Sequence, residues 1–578
     1  MEKKRMRHQW ARSISFLVGV LTLLSACAPQ SSGTGPTSGA PAQPVAKKVI
    51  TIADTYEPKF VVENYTTGGP PLSANNIRFI IHDDLTRSRG YQNEDPALAT
   101  ELPSVEKGTW KINPDGSMQT IWKLRPNVKW HDGQPFTAND LVFTFQTRRD
   151  KDVAGAQVSA FDRLIDSVAA PDPLTFTVQW NSPYVDANTV TAGQIAPKHL
   201  LDEVYQKEKM NLQTTPLMNT EFVGLGPYKL VSWERGSHLQ ADRFDDYYLG
   251  RPKLDTIYVR FVGNSNAQVT GVLSGAADVA VSTSGQGISL DQANEVRKRW
   301  EGTTNKVVNV YTGSFLYGEY QLDPLYTKPL DTQTNQTVRI ALQHAIDRPT
   351  IADIMTTGLS PAAEGYYPPN EPRLAQLEPS LVKYPYDPTR ASQLLSQAGW
   401  NKGADGTLVR QSDGQRFDIE VWGRPGPVEK VPSIVADYWK RIGINATPVI
   451  QSDAQRGDRE VERKRPGYLC CPQAGLSAIF TGHSHKRQIP AAATNWAGVN
   501  YGSYSNDKAD ALVDQLATTL DPRARLPLEQ LLLHEYTQDV FLVPVYWQIL
   551  PQLVLTGIRG PSADYGNVNT NIFDWDRD

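Results

Sequence analysis

Apolar residues recur with two different periods along this 578-residue chain, first every second position and later at helical spacing. "VITIAD" (Val49 to Asp54) alternates apolar and polar positions, the pattern of a strand with one covered face. Between Trp110 and Val128 two alternating runs flank "NPDG" (Asn113 to Gly116), whose turn residues predict a hairpin. "HDG" (His131 to Gly133) supplies a second turn and leads into "TANDLVFTFQ". There Thr137 and Asp140 stand at capping-box spacing, so a helix is expected to start at that point. In "IDSVAAPDPLTFTVQW", Leu174, Phe176, Val178 and Trp180 share one face of a strand. Residues 89 to 220 thus have the pattern of a small hairpin-rich unit.

The period then lengthens. "VRIALQHAIDR" places Val338, Ala341, Leu342, Ala345 and Ile346 on one helical stripe. "YDPTRASQLLSQAGW" carries a whole helix grammar: Asp387 to cap, Pro388 for the first turn, Ala391, Leu394, Leu395 and Ala398 as the stripe, and Gly399 to stop it. Phe417, Ile419 and Val421 alternate as a strand, "VPSIVADYWKRIG" is a helix ended by Gly443, and "INATPVI" returns as a strand. Strand, helix and strand at this spacing form a βαβ unit, which implies parallel pairing. A mixed α/β architecture with at least two lobes follows.

The region ahead of the first strand has a different character. Lys3, Lys4, Arg5, Arg7 and Arg12 precede an apolar core from Ile14 to Leu24, followed by the small residues Ser25 and Ala26. That order predicts an export signal over residues 1–26. Its apolar core is shorter than the roughly 18 residues a membrane span requires. From Ala28 to Ala46 the chain is rich in Ser, Gly, Pro and Ala and carries no charge, so residues 27–47 read as a flexible tether. Such a tether has a root-mean-square span of about 25 Å.

Without the signal the chain holds 53 Lys and Arg against 61 Asp and Glu, a net charge of −8. The absence of a basic run makes nucleic acid an unexpected partner. Thirteen Trp and twenty-four Tyr offer both core filling and flat faces for an organic ligand. Hydrolase signatures are lacking: "HEYTQ" (His534 to Gln538) has no second His for a zinc-protease helix, and no G-x-S-x-G occurs. No enzyme activity and no cofactor are expected, a secreted hydrolase being the rival class. One segment is unusual, "YLCCPQAGLSAIFTGHSHKRQ" (Tyr468 to Gln488). Its Cys470, Cys471, His483 and His485 admit a soft-metal site, a vicinal disulfide or two plain thiols.

Two kinds of motif then suggest a family. Leu24-Ser25-Ala26-Cys27 resembles the lipobox of bacterial lipoproteins, in which the signal is cut before a cysteine that takes the lipid. The resemblance implies that Cys27 is the lipidation site of an anchor on the outer face of a membrane. Six longer stretches occur in order: "WKLRPNVKWHDGQPFTANDLVFTF" (Trp122 to Phe145), "FVGLGPYKLVSWERGS" (Phe222 to Ser237), "YYLGRPKLDTIYVRFV" (Tyr247 to Val262), "VRIALQHAIDR" (Val338 to Arg348), "YDPTRASQLLSQAGW" (Tyr386 to Trp400) and "YSNDKADALVD" (Tyr504 to Asp514). Together they resemble bacterial extracellular solute-binding protein family 5, which includes oligopeptide, dipeptide and nickel binders of ABC importers. The resemblance implies a bilobed periplasmic-binding-protein-like α/β fold whose lobes are joined by crossing strands. The segments expected are lobe I at 48–88 and 221–310, the inserted hairpin-rich subdomain at 89–220, lobe II at 311–545, and a return to lobe I at 546–578. It implies a monomer that closes over a solute, peptide-like by default, and delivers it to an ABC permease. An oligosaccharide, glycoside or opine is the alternative cargo.

The resemblance also nominates site residues. Dipeptide-binding members grip the substrate carboxylate with an arginine in an R-P step ahead of a helix, and Arg424-Pro425 stands at a matching place. Bidentate guanidinium–carboxylate pairing makes that role chemically sound. Those members hold the substrate ammonium with an aspartate in the segment aligned with "GYLCCPQAGLSAIF", and no acid is present there. Tyr56 after the first strand, Trp422 beside Arg424, and Trp496, Asn500 and Tyr501 in "TNWAGVNYGSY" complete the candidate ligand-binding set.

Overall fold

The computed structural model describes residues 46–578 apart from 59, 62–73, 90–93, 154–161, 189–194, 283–286, 453–454, 456–457 and 565–567. The export signal, Cys27 and all but the last two residues of the tether lie outside the described residues. Among the described residues no helix is long and apolar enough to cross a membrane.

Ten strands share one sheet: β1 (Val49–Asp54), β2 (Tyr228–Glu234), β3 (His238–Arg243), β4 (Thr256–Phe261), β5 (Val279–Ala280), β6 (Lys306–Glu319), β7 (Asp418–Gly423), β8 (Asn445–Ile450), β9 (Tyr468–Ala474) and β10 (Leu542–Val554). Their spatial order is β8-β7-β9-β6-β10-β5-β1-β4-β3-β2. The two long strands at the centre run antiparallel, from Lys306 opposite Val554 to Glu319 opposite Leu542. The register shifts between Tyr311 and Phe315. At one end β10 pairs with β5 through Leu553 and Val554. At the other, β6 pairs with β9 from Phe315 to Glu319. One pair of strands therefore passes from one lobe into the other, and each lobe builds its own core around its share of the sheet.

Lobe I packs Ile50, Ile52, Ile77, Ile257 and Val259 with Trp575 from the C-terminal segment. Lobe II packs the stripe Val338, Ala341, Leu342, Ala345 and Ile346 against Phe417, Ile419, Val421 and Trp439. The stripes expected from spacing are the ones buried. In the helix Pro388–Gln397, Asp387 accepts from the Arg390 N–H at 2.8 Å, Pro388 occupies the first turn, and Gly399 leaves at φ +85°. Parallel pairing of β7 with β8 follows the βαβ expectation, with the helix Val431–Arg441 between them. At the rims the lobes touch through Lys430 and Asp291 (3.0 Å) and through Asn294 donating to the Thr357 hydroxyl (2.8 Å).

A separate four-stranded antiparallel sheet takes the order Trp110–Ile112, Met118–Lys123, Thr175–Trp180, Ile165–Asp172. Its covered face holds Trp122, Trp180, Phe176 and Val178, and Trp130 joins the same core. The helix Ala138–Arg149 begins where Thr137 and Asp140 meet, the Thr137 N–H donating to Asp140 Oδ2 at 2.9 Å. Where this unit meets lobe I, Gly224, Leu225 and Gly226 thread between Ile81-His82 and His131. A Cβ on Gly224 would lie 1.8 Å from the Ile81 carbonyl oxygen, and one on Gly226 2.4 Å from the His82 nitrogen. His82 Nδ1 accepts from the Leu225 N–H (3.3 Å), and His131 Nδ1 accepts from the Gly224 N–H (3.2 Å). The His131 Nε2–H donates to the Gly226 carbonyl at 3.0 Å. The two glycines of "GLGP" thus mark a close approach of backbones that admits no Cβ at either position.

Candidate functional site

At the carboxyl end of β7, Trp422 and Arg424 leave a strand flanked on both sides by parallel neighbours, β8 and β9. Ligands of open α/β sheets gather at such ends, because the chain reverses there and leaves a crevice. The indole N–H of half-buried Trp422 donates to Glu420 Oε2 at 2.7 Å. Arg424 approaches Glu462, with 3.5 Å between Nη2 and Oε1. Its side chain is 27% exposed and that of Glu462 only 3%. Glu462 comes from the short helix Arg459–Lys464, where Gln451 also donates to its Oε1 at 3.2 Å. Glu462 Oε2 and Arg424 Nε are buried and have no hydrogen-bond partner.

Behind this pair lies a second, deeper one. Arg465 and Glu319 are paired with both side chains sealed from solvent, Glu319 at the very end of β6. The Arg465 guanidinium also donates to the Glu462 carbonyl at 2.8 Å, which ties the two pairs together. His483 places Nδ1 3.9 Å from Glu319 Oε1 and 3.4 Å from the Tyr317 hydroxyl. Burial opposes ionisation of Glu319, but Arg465 and His483 outweigh it and pull the carboxyl below its usual range. The Tyr317 phenol is pushed far up by burial and then by the Glu319 charge.

Of the residues nominated from the sequence, Arg424 and Tyr501 share this environment. The Tyr501 phenol is raised by burial and by Glu462, with Arg459 and Arg424 opposing. Trp496 lies beside Lys464, whose ammonium sits 5.0 Å from its ring centroid, at a residue with φ +57°. Asn500 has a different task from the expected one. It is fully buried, its amide donates to the carbonyls of His485 (3.1 Å) and Tyr504 (2.8 Å), and its oxygen accepts from the Tyr504 N–H (2.9 Å). Its polar atoms are thus spent on closing the loop. Tyr56 belongs to lobe I, where its N–H donates to Asp54 Oδ1 at 3.1 Å. Asp54 at the end of β1 is wholly buried, and that burial pushes its carboxyl up to about 6.

Of the soft-ligand candidates in Tyr468–Gln488, the Cys471 side chain lies outside the described residues and the other three separate. Cys470 is buried in the lobe II core among Tyr468 and Trp439. His483 faces Glu319, while His485 lies 3.6 Å from Asp510. Among the described residues no His, Cys, Asp and Glu groups converge at metal-binding distances.

Glu462, Gln451, Glu319 and Arg465 were missed by sequence reasoning. Glu462 sits in "REVERKRP", which reads as a solvated charged turn. Glu319 had a usable signal, an acid ending the apolar run "GSFLYGE".

Residues 95–514 match the family model described as "Bacterial extracellular solute-binding proteins, family 5 Middle". The chain belongs to this family. As a family 5 protein it is 24% identical over 527 residues to the oligopeptide-binding protein AppA of Bacillus subtilis, covering 88% of each chain. It is 26% identical over 485 residues to the glutathione-binding protein GsiB of Escherichia coli K12, covering 81% of this chain and 83% of GsiB. Its fold matches the crystal structure of NikZ from Campylobacter jejuni in complex with Ni(L-His), with a TM-score of 0.73 at 19% identity, over 92% of this chain and 100% of NikZ. This family 5 chain therefore shares the bilobed architecture of that structure, and its relatives are solute-binding proteins.

Proposed function

We propose that this family 5 protein is the lipid-anchored, extracytoplasmic capture component of an ABC importer, closing its lobes on a peptide-like solute and presenting it to a membrane permease. The observation that carries the reading is Arg424, a partly exposed guanidinium at the carboxyl end of β7 with most of its donors uncommitted. A ligand carboxylate would satisfy it with paired, charge-assisted bonds. The printed functions of AppA and GsiB, an oligopeptide and a glutathione binder, are of the same chemical kind. Contacts to both lobes exist only in the shut form, so solute shifts the open–closed equilibrium by its differential affinity. Cys27, acylated after signal cleavage, would hold the carrier near its permease and raise its effective concentration.

Mass spectrometry of solutes that co-purify with the native protein tests the cargo, and the expected result is a carboxylate-bearing peptide-like molecule. Arg424→Ala should then weaken its binding by about 10- to 200-fold, the loss of one charged hydrogen-bonding group. A neutral glycoside as the retained solute, with affinity unmoved by that substitution, would replace the peptide reading. Release of cleaved product would replace the binding-protein reading altogether.

A further inference from the structure

We infer that one face of the helix Leu290–Arg299 is a latch, on which Asp291 and Asn294 clasp lobe II and bias the lobes toward the shut form before any solute arrives. The latch rests on the closing-lobe reading above and on no particular cargo. Its helix belongs to lobe I, burying Ala293 and Val296 against Ala53 of β1 and Ala280 of β5. Asp291 and Asn294 stand three residues apart and so share a face. Asp291 Oδ2 meets the Lys430 ammonium at 3.0 Å, and Asn294 Nδ2 donates to the Thr357 hydroxyl at 2.8 Å. The Asn294 oxygen accepts from Arg297, and the Thr357 hydroxyl donates to the Thr356 carbonyl (2.7 Å), so each group is already turned for that contact. Thr357 and Lys430 adjoin two separate helices, Arg348–Thr356 and Val431–Arg441, which bury Ile351, Ala352, Val435 and Trp439 in the lobe II core. The helices Leu290–Arg299 and Val431–Arg441 follow β5 and β7, parallel strands whose carboxyl ends open on the crevice between the lobes. Asp291 and Lys430 therefore face each other across its mouth.

Both lobe II residues are poor choices for their own backbone. Lys430 is the N-cap of its helix, makes no side-chain capping bond, and sets a cation at the positive end of the helix dipole. A Ser, Thr, Asp or Asn would serve that position better. Thr357 ends its helix at φ +53° and ψ 39°, a left-handed conformation that suits Gly or Asn and strains a β-branched residue. Local rules are broken where a residue has another task. The task these two share is contact with one face of one lobe I helix. Tyr311 adds a tie from the crossing strand β6, its hydroxyl donating at 3.3 Å to the carbonyl of Leu359, two residues beyond Thr357. The side chains of Asp291 and Lys430 are 65% and 43% exposed, so their pairing is weak and open to screening by salt. Weakness suits a carrier. A few-fold bias toward the shut form leaves the larger shift to the cargo.

The test is single-molecule energy transfer between dyes on the outer surfaces of the two lobes, in the full protein stripped of solute by unfolding and refolding. At low salt the shut form should be populated, and about 1 M salt should lower the shut-to-open ratio about two- to fivefold. Lys430→Ser should lower it by a similar factor at low salt and remove the salt dependence. Thr357→Gly should lower it about fivefold at any salt, the loss of one neutral hydrogen bond. Both substitutions repair the local backbone, so circular dichroism melts should place both variants at or above the unaltered protein. Closure falling while stability holds or rises is a signature that a merely structural role does not produce. Lys430→Glu should open the lobes further, and adding Asp291→Lys to it should restore the ratio. Ratios unmoved in Lys430→Ser and Thr357→Gly, melts lowered in both, or no recovery in the swapped pair overturns the latch and leaves the closing-lobe reading standing. One fixed distance in every variant, unmoved also by a tryptic digest of casein, overturns both.

Discussion

At Gly224 and Gly226 the chain leaves no room for even a methyl group, whereas at the end of β7 it leaves the Arg424 guanidinium partly exposed. The first place is a joint between the hairpin-rich unit and lobe I, held by uncharged imidazoles and backbone groups. The second is a cluster of formal charges, one of them partly exposed, at the end of a parallel strand. Tight backbone packing fixes how two units meet, and a partly exposed guanidinium is what a carboxylate-bearing guest needs.

The strongest way to break the contrast is at the joint. Gly224→Ala sets a Cβ 1.8 Å from a backbone oxygen, which only a backbone shift can relieve. The expected cost is about 3–5 kcal/mol of folding stability, from forced overpacking. Urea unfolding followed by tryptophan fluorescence measures it. A loss below about 1 kcal/mol would mean that the joint yields, and that its glycines do not define a rigid element.

A change of pH probes the same joint more gently. Burial, with Arg78 nearby, lowers the His82 imidazole from 6.5 to about 3. His131 is lowered to about 4, chiefly by burial. The fold holds both neutral while the unfolded chain protonates them, so their contribution is complete above about 6.5 and drains away as pH falls. At pH 5 fully buried His82 alone should cost about 2 kcal/mol relative to pH 7.5, and half-buried His131 somewhat less. Asp54, raised to about 6, works in the opposite sense. Its buried carboxylate is relieved as it protonates, returning about 1 kcal/mol over the same interval. A net fall of about 2 kcal/mol is therefore expected from unfolding curves at the two pH values, and His82→Gln should flatten it. Equal stability at pH 5 and 7.5 would show that the imidazoles are not held neutral.

The two regions also differed in how far they could be read in advance. The stripes of Gln336–His344 and Pro388–Gln397 and the alternation of Phe417, Ile419 and Val421 were legible because burial follows period and capping is local. "GLGP" stands inside a stretch quoted for its family resemblance, but the reason for its glycines was not legible, since the Ile81 backbone they touch lies far away in the chain. Arg424 could be nominated by position. Glu462 could not, because its burial depends on Gln451 and on the Arg465 pair beneath it, neither of which has a sequence period. Asn500 misled for a related reason: an asparagine in a loop closes turns as readily as it binds ligands, and only its three backbone bonds decide which.

The mildest expected effect is the one that sharpens the contrast most. If the Arg424–Glu462 pair is a place kept open for a guest, neutralising it should hardly touch stability. Glu462→Gln retains an oxygen for the Gln451 amide and replaces the bare Oε2 with an amide group. Arg424 then loses a partner already 3.5 Å away, and its quarter-exposed side chain can turn its donors to water. Removing one partner of a sealed pair costs about 3–5 kcal/mol, while partly exposed pairs are worth about 1 kcal/mol or less. The expected change in urea unfolding is therefore within about 1 kcal/mol, against the several expected at Gly224. A loss of 3 kcal/mol or more would place Glu462 with Glu319 and Arg465 among the groups that hold lobe II together, and the distinction between joint and site would have to be redrawn around Arg424 alone.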